Sequence, residues 1–210
     1  MGRDKILHKV RTALGRSAGQ APSEVPPARI CLPEISLEQR VESFVKALQA
    51  LNGKPFVASS VEEAVAYTEA LAKGKTAVAS NSPFLSECGI TKLEGVKSGF
   101  TDRDALRALC ATADVGISSA DFALADTGSL VMIASTAEAR LISLLPPVHL
   151  AIIPRECLLS GLDELFTVRP LPADTTSSMV LITGPSRTAD IEQILVRGVH
   201  GPGEIHVVIV

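Results

Sequence analysis

The chain has 210 residues and carries 20 lysines and arginines against 23 aspartates and glutamates, a formal net charge of −3. Aromatic residues make up only 3% and no basic stripe occurs, which argues against the stacking platforms and phosphate tracks of nucleic-acid-binding proteins. No apolar run approaches the ~20 residues of a membrane-spanning helix, and the N-terminus lacks the features of a secretion signal, so a cytoplasmic protein is predicted.

Residues 1–35 are predicted to form an N-terminal helix and a flexible arm outside the main domain. Apolar residues recur at helical spacing within residues 4–15, which is typical of an amphipathic helix. Residues 15–33 are rich in glycine and proline among small and polar residues, a composition typical of a linker. Such a helix either docks on another subunit or frays as a free terminus, and the sequence leaves both open.

The main domain is predicted over residues 36–210, where strands alternate with helices of ordinary length. Ser36 suits a capping box with Gln39 and begins a helix that ends at Asn52-Gly53. The other predicted helices cover residues 61–72, 103–111, 156–166 and 189–197. The predicted strands cover residues 55–59, 76–80, 115–118, 122–125, 130–134, 148–153, 179–182 and 204–210. Residues 85–100 are ambiguous, with room for a short helix and a weak strand.

This alternation predicts an α/β fold in three layers, with a mostly parallel sheet and right-handed crossovers. Residues 122–125 and 130–134 are close enough in the chain to add a local antiparallel hairpin. The run from Leu130 to Ala134 is uniformly apolar, and it therefore reads as a strand buried on both faces.

Metal chemistry finds no support in the spacing of the usual ligands. No C-x-x-C pair occurs, which argues against a structural zinc site and an iron–sulfur cluster. The histidines form no helical metal pair either. The residues concerned are Cys31, Cys88, Cys110, Cys157, His8, His149, His200 and His206.

The first candidate site is the turn of Asp126, Thr127 and Gly128, which leads into the buried strand from Leu130. Ligands of open α/β sheets collect around strand ends, so polar groups there are candidates for binding and for proton transfer. The alternative is a tight turn in which the aspartate caps a backbone N–H and the glycine supplies a positive φ.

The second candidate is the loop that follows the strand of residues 179–182. The sequence pattern predicts that this loop leads into a helix. Gly184, Ser186 and Thr188 would offer N–H and hydroxyl groups at a helix N-terminus, and Arg187 adds a bidentate grip for an anion. No Gly-Lys-Ser/Thr follows, so this is not a Walker A loop. The alternative is a plain helix cap, because two acidic residues already occupy the first turn.

The third candidate is the glycine-dense loop of residues 197–203. His200 and the backbone of Gly201 would offer a proton donor and an N–H there, or the loop is a plain turn with a surface histidine. Arg140 and Ser143 lie among apolar neighbours and are either structural or part of a site. His149, at the start of a buried strand, reads as a core histidine.

Four ordered blocks of this sequence together resemble the signature of the LUD domain family: residues 125–130, 143–149, 184–192 and 198–202. The resemblance covers about residues 36–210. It implies a fold similar to the NagB/RpiA/CoA-transferase group, which includes 5-formyltetrahydrofolate cyclo-ligase. It also implies a role in oxidising L-lactate to pyruvate together with iron–sulfur partner proteins, which would carry the clusters that this chain has no motif for.

The leading hypothesis is therefore a component of a lactate-oxidising system that binds a small carboxylate or a phosphorylated ligand where the three loops meet. Asp126 or His200 would handle a proton. The ligand-binding residues would be Thr127, Gly128, Gly184, Ser186, Arg187, Thr188 and Gly201.

Two alternatives belong to other classes. The first is a self-sufficient transferase, isomerase or ligase acting on an anionic metabolite. A CoA-transferase would need a nucleophilic glutamate in a cleft, and Glu138 and Glu192 read as surface residues. The second is a non-catalytic assembly subunit.

Overall fold

The computed structural model describes residues 2–20, 35–170, 176–189 and 195–210, and it divides into two units, residues 1–31 and 32–210. The first unit contains helix α1 (Arg3–Ala13), in agreement with the predicted N-terminal helix, and none of its residues is buried. Most of the predicted arm lies outside the described residues, so its flexibility stays a prediction.

The helices of the second unit begin largely where their capping residues predict. The Ser36 side chain and Gln39 form both halves of the predicted capping box. Asp102 accepts a hydrogen bond from Ala105 N, as expected for the cap of the predicted helix that follows it. The helices are α2 (Leu37–Ala50), α3 (Val61–Ala72), α4 (Pro83–Glu87), α5 (Arg103–Cys110) and α6 (Leu162–Val168), with single 3-10 turns at Ile90–Lys92 and Arg155–Cys157.

The strands, in chain order, are β1 (Lys54–Val57), β2 (Ala77–Ala79), β3 (Val96–Lys97), β4 (Val115–Ser118), β5 (Phe122–Leu124), β6 (Ser129–Ile133), β7 (Val148–Ile153), β8 (Leu158–Leu159), β9 (Met179–Ile182), β10 (Arg187–Ala189), β11 (Leu195–Arg197) and β12 (Glu204–Ile209). Six of them form a parallel sheet in the order β1-β12-β7-β4-β2-β3. The predicted α/β fold with a mostly parallel sheet is confirmed.

The parallel sheet is covered on both faces, which gives the predicted layers. Leu150 and Ile152 of β7 pack with α3 and α4, while Ala151 and Ile153 pack with α2 and with strands β5 and β6. Successive strand residues point to opposite faces, so the continuous apolar run of β7 fills two cores at once. Val78 of β2 packs with α5 on the α2 side.

The predicted hairpin of β5 and β6 is confirmed, but it belongs to a second sheet with the order β8-β5-β6-β9. Strand β6 is an interior strand of this mostly antiparallel sheet, with Ser129 to Met132 buried. The uniform apolar run therefore marks a strand whose two faces are both buried, although it belongs to the second sheet and not to the parallel one.

Two predicted helices are wrong in whole or in part. Residues 156–166 begin as a 3-10 turn and the short strand β8, and α6 starts only at Leu162, because Leu158 and Leu159 pair with β5 and are buried. Within residues 189–197, the described ends are strands, since β10 and β11 pair antiparallel. Their register places the β-branched Thr188 opposite Val196, and sheet pairing outweighs a weak helical pattern there.

Candidate functional site

Two of the three predicted loops meet and line an open cavity of about 390 Å³, here called the loop cavity. Ser186 N donates to the Pro202 carbonyl at 2.8 Å, and Gly198 N donates to the Ser186 carbonyl at 3.1 Å. These two backbone bonds join the loop after β9 to the glycine-dense loop before β12. The predicted residues that line the cavity are Gly184, Ser186, Arg187, His200 and Gly201.

Arg187 and Thr188 do not stand at a helix N-terminus, because β10 replaces the predicted helix there. Arg187 is exposed, and its guanidinium donates a hydrogen bond to the Leu51 carbonyl at the C-terminus of α2. Thr188 lies in β10, opposite Val196. The prediction that a helix N-terminus forms the anion site is thus wrong, because residues 187–189 form a strand. The Arg187 side chain nevertheless lines the loop cavity.

The third predicted loop forms the turn between β5 and β6 and does not line the loop cavity. Asp126 and Thr127 are exposed, and Gly128 N donates to the Leu124 carbonyl at 2.9 Å in a tight turn. The Asp126 carboxylate lies beside Gly161, where a Cβ would come within 2.6 Å of its Oδ2. The catalytic role predicted for Asp126 therefore stays a prediction without support from the cavity.

A chain of hydroxyls nevertheless joins this turn to the cavity wall. Ser129 Oγ donates to Thr127 Oγ1 at 2.8 Å, so the 2.7 Å contact between Ser129 Oγ and Thr183 Oγ1 has Thr183 as its donor. Thr183 lines the loop cavity. Thr127 is therefore connected to the cavity wall through this chain of hydroxyls and does not line the cavity itself, and its predicted role in ligand binding stays a prediction.

Gly128 is required where the turn meets α2. Its φ is +65°, and an added Cβ would lie 2.6 Å from Leu48 N, so the backbone of α2 would have to shift. We expect Gly128→Ala to lower the free energy of unfolding by about 2 kcal/mol more than Gly74→Ala in urea titrations. Gly74 is the matched control, because its φ is +72° but its Cβ would meet nothing within 4 Å. Equal losses in the two variants would contradict the close packing of this turn on α2.

The opposite wall of the loop cavity comes from the segment after β6, which packs on β4. Gly116 of β4 permits this packing, since a Cβ there would lie 1.9 Å from the Ile142 carbonyl oxygen. The close approach brings Arg140 and Ser143 to the cavity wall. Arg140 Nη1 donates to Ser143 Oγ at 2.6 Å, and that hydroxyl donates to the Arg140 carbonyl at 3.2 Å.

Arg140 is a half-buried cation that has no counter-charge among the described residues. None of the ion pairs within residues 35–170, 176–189 and 195–210 involves it, and burial lowers the pKa of its guanidinium. Removing a charge from water without pairing it costs free energy, which an anion bound in the cavity would offset. The sequence left open whether Arg140 and Ser143 are structural or part of a site, and the structure shows that both line the loop cavity.

His149 lies fully buried beneath this wall. Its Nε2 contacts Ser118 Oγ at 2.8 Å, and its Nδ1 has no partner among the described residues. Burial, and to a smaller extent the positive charge of Arg140, lowers its pKa to about 3. The predicted core histidine is confirmed in its burial, and it is neutral at physiological pH.

Glu138 is not the surface residue that the sequence suggested. Its Oε1 accepts hydrogen bonds from Ser80 Oγ at 2.8 Å and from Ser119 N at 3.0 Å. Its Oε2 is buried and has no partner in the described part of the chain. Burial raises the pKa of this carboxyl to about 7, although both hydrogen bonds act in the opposite direction.

The position of Glu138 is one where ligands gather in α/β proteins. Ser80 follows β2 and Ser119 follows β4, two neighbouring parallel strands. The chain continues from β2 to α4 on one face and from β4 to β5 on the other, which is the arrangement that creates ligand-binding crevices in open α/β sheets. Within the local chain, Glu138 N donates a hydrogen bond to Ser135 Oγ in a turn. The sequence pattern indicates this turn but not the distant contacts of the Glu138 carboxylate.

No group of three or more His, Cys, Asp or Glu residues in the described ranges is arranged to hold a metal ion. Across those same ranges, no helix combines the length and the apolar character needed to cross a membrane.

Both the sequence and the fold have counterparts among known proteins. The profile of one family, described as LUD domain, matches residues 41–210. Lactate utilization protein C of Halalkalibacterium halodurans is 29% identical over 95% of this chain and 94% of its own length. The protein of that name from Oceanobacillus iheyensis is 29% identical over 99% of this chain and 97% of its own. In fold, the chain is similar to a DUF162 family protein from Deinococcus radiodurans, with a TM-score of 0.62, 16% identity, and coverage of 84% of this chain and 99% of that one.

Proposed function

Because the chain belongs to the LUD domain family, we propose that it takes part in lactate utilization and binds a small carboxylate in the loop cavity. The names of two relatives that match nearly the full length of the chain support the biological role. One observation supports the site more than any other: the half-buried Arg140, which forms no ion pair in the described part of the chain, lines a cavity that the two predicted loops border.

In this proposal, Arg140 binds the carboxylate of the ligand through its planar pair of N–H donors. Arg187 stands across the cavity as a second, exposed cation, and the hydroxyls of Ser143 and Ser186 are additional hydrogen-bonding groups in the wall. His200 is exposed on the glycine-dense loop and is the residue proposed to accept the proton of the substrate hydroxyl.

Oxidation of L-lactate to pyruvate removes two electrons and two protons from the substrate. The side chains that line the loop cavity accept protons but not the electrons, so a cofactor or a partner must take them. Iron–sulfur proteins of the same utilization system are the proposed acceptors. This division of labour agrees with a chain in which no cluster-binding cysteine motif occurs.

The proposal predicts that the purified chain alone does not oxidise L-lactate. With an acceptor dye we expect no turnover above background, and turnover that appears once the chain is combined with its co-purified partners. The control omits this chain from the same mixture, which should then lose its activity. Robust dye reduction by the chain alone would refute the role of a subunit.

A self-sufficient transferase, isomerase or ligase is the second candidate, and Glu138 is the observation that favours it. A carboxyl group with a pKa near 7, held on one oxygen by Ser80 and Ser119, suits acid–base or nucleophilic chemistry. Turnover of an anionic ester or thioester by the chain alone, lost in Glu138→Gln, would favour this candidate over the first.

A further inference from the structure

A second cavity, of about 800 Å³, lies at the carboxyl end of β2 beside the N-terminus of α5, and the proposed function does not use it. It is here called the β2 cavity. Its lining includes Ala79 at the end of β2, Leu106 of α5, and Arg140 from the segment after β6. Arg140 lines the loop cavity as well, so this one side chain forms part of the wall between the two.

The size of the β2 cavity indicates a larger ligand than a small hydroxy acid. Pockets for drug-sized and cofactor-sized molecules commonly enclose roughly 300–1,000 Å³. The β2 cavity lies in the upper part of that range and has about twice the volume of the loop cavity. A three-carbon acid would leave most of it filled with water.

The charges on the β2 cavity favour an anionic group. Arg103 is exposed on the first turn of α5, and Arg140 is half-buried in the wall. The one carboxylate in the lining, that of Asp102, accepts a hydrogen bond from Ala105 N at 2.7 Å and caps α5. Neither arginine forms an ion pair within the described ranges. Arg140 Nη1 already donates to Ser143 Oγ, so the Arg103 fork and the remaining N–H donors of Arg140 are available to a phosphate.

The apolar part of the β2 cavity is held in place before any ligand arrives. Phe100, Leu106 and Leu141 supply an apolar surface on which an organic group can pack. Asn81 fixes the loop that carries Phe100, since its Nδ2 donates to the Phe100 carbonyl at 2.8 Å and its Oδ1 accepts from Gly99 N at 2.9 Å. A preformed wall lowers the entropic cost of binding.

We propose that the β2 cavity binds a phosphorylated organic molecule of nucleotide size. Its phosphate lies between Arg103 and Arg140, and its apolar part packs on Phe100 and Leu106. Because Arg140 borders both cavities, this ligand lies next to whatever small anion occupies the loop cavity. The inference rests on the β2 cavity alone and does not depend on lactate being that anion.

The test is isothermal titration of the full chain with ADP and with FMN, two phosphorylated probes with different organic parts. Arg103→Ala removes one phosphate contact, and Thr136→Trp fills the cavity from an exposed position in its lining. We expect each variant to weaken the binding of at least one probe by about tenfold or more. Arg107→Ala is the matched control, because Arg107 is exposed on the same helix and does not line the cavity, and it should stay within about twofold of the wild type.

The outcomes separate this proposal from the one for the loop cavity. Inorganic pyrophosphate should compete with both probes, and Thr136→Trp should leave the affinity for L-lactate unchanged. If neither ADP nor FMN binds, or if both bind equally well to Arg103→Ala and Thr136→Trp, the proposal is wrong. Nucleotide binding without lactate binding would support the β2 site and refute the loop site.

Discussion

The Arg140→Met variant is expected to lose about 100-fold in affinity for L-lactate, because methionine keeps the apolar stem but removes the charged fork. Arg140→Lys should lose about tenfold in affinity for L-lactate, because an ammonium group keeps the positive charge but cannot form the bidentate pair of hydrogen bonds. Isothermal titration of the chain itself measures both effects, and the lactate oxidation rate of the reconstituted system should fall in the same order.

The stability of Arg140→Met distinguishes a binding residue from a structural one. Arg140 is half-buried and has only the Ser143 hydroxyl as a side-chain partner in the described ranges. If its role is to bind an anion, replacing it should leave the free energy of unfolding unchanged or higher when no ligand is present. Arg107→Met is the exposed control. A large loss of stability with unchanged lactate affinity would show that Arg140 is structural.

The second large effect is a pH dependence of stability that comes from Glu138. Its pKa is about 7 in the folded protein and 4.5 in the reference state, so the folded protein holds the proton more tightly. The stability that this proton provides is complete below pH 4.5 and is lost as the pH rises through 7. A shift of this size corresponds to about 3 kcal/mol.

Glu138→Gln removes this titration while its side-chain oxygen still accepts hydrogen bonds from Ser80 and Ser119. Between pH 4.5 and pH 8, we therefore expect the wild type to lose about 3 kcal/mol more of its unfolding free energy than the variant, measured by urea titration. His149 acts in the opposite direction, because its lowered pKa destabilises the fold as the pH falls from 6.5 towards 3. That contribution is the same in both proteins and cancels in the difference.

The exposed Glu69→Gln variant is the control for this experiment, and its stability should follow the wild type at every pH. Parallel curves for Glu138→Gln and the wild type would mean that the Glu138 carboxyl is not held in a desolvated position. If Glu138→Gln is less stable than the wild type by the same amount at every pH, the Glu138 side chain contributes structural hydrogen bonds but no pH dependence.

The site itself could be predicted from the sequence only in part. Ser186 and His200 were predicted to meet, and they do line one cavity, because each lies in a glycine-containing loop next to a strand end. The prediction that Asp126 joins them requires its turn to open at the edge of the parallel sheet. The turn belongs to the second sheet instead, and a run of apolar residues carries no information about which sheet it joins.

The sequence alone determined the alternation of strands and helices, the caps at Ser36 and Asp102, and the buried strands, because these depend on the spacing of apolar residues and on hydrogen bonds between near neighbours. Only the tertiary structure decided that the Oε2 of Glu138 is buried, that Arg140 borders two cavities, and that residues 187–189 form a strand. Each of these depends on contacts between segments distant in the chain, and no local pattern encodes which distant partners will pack together.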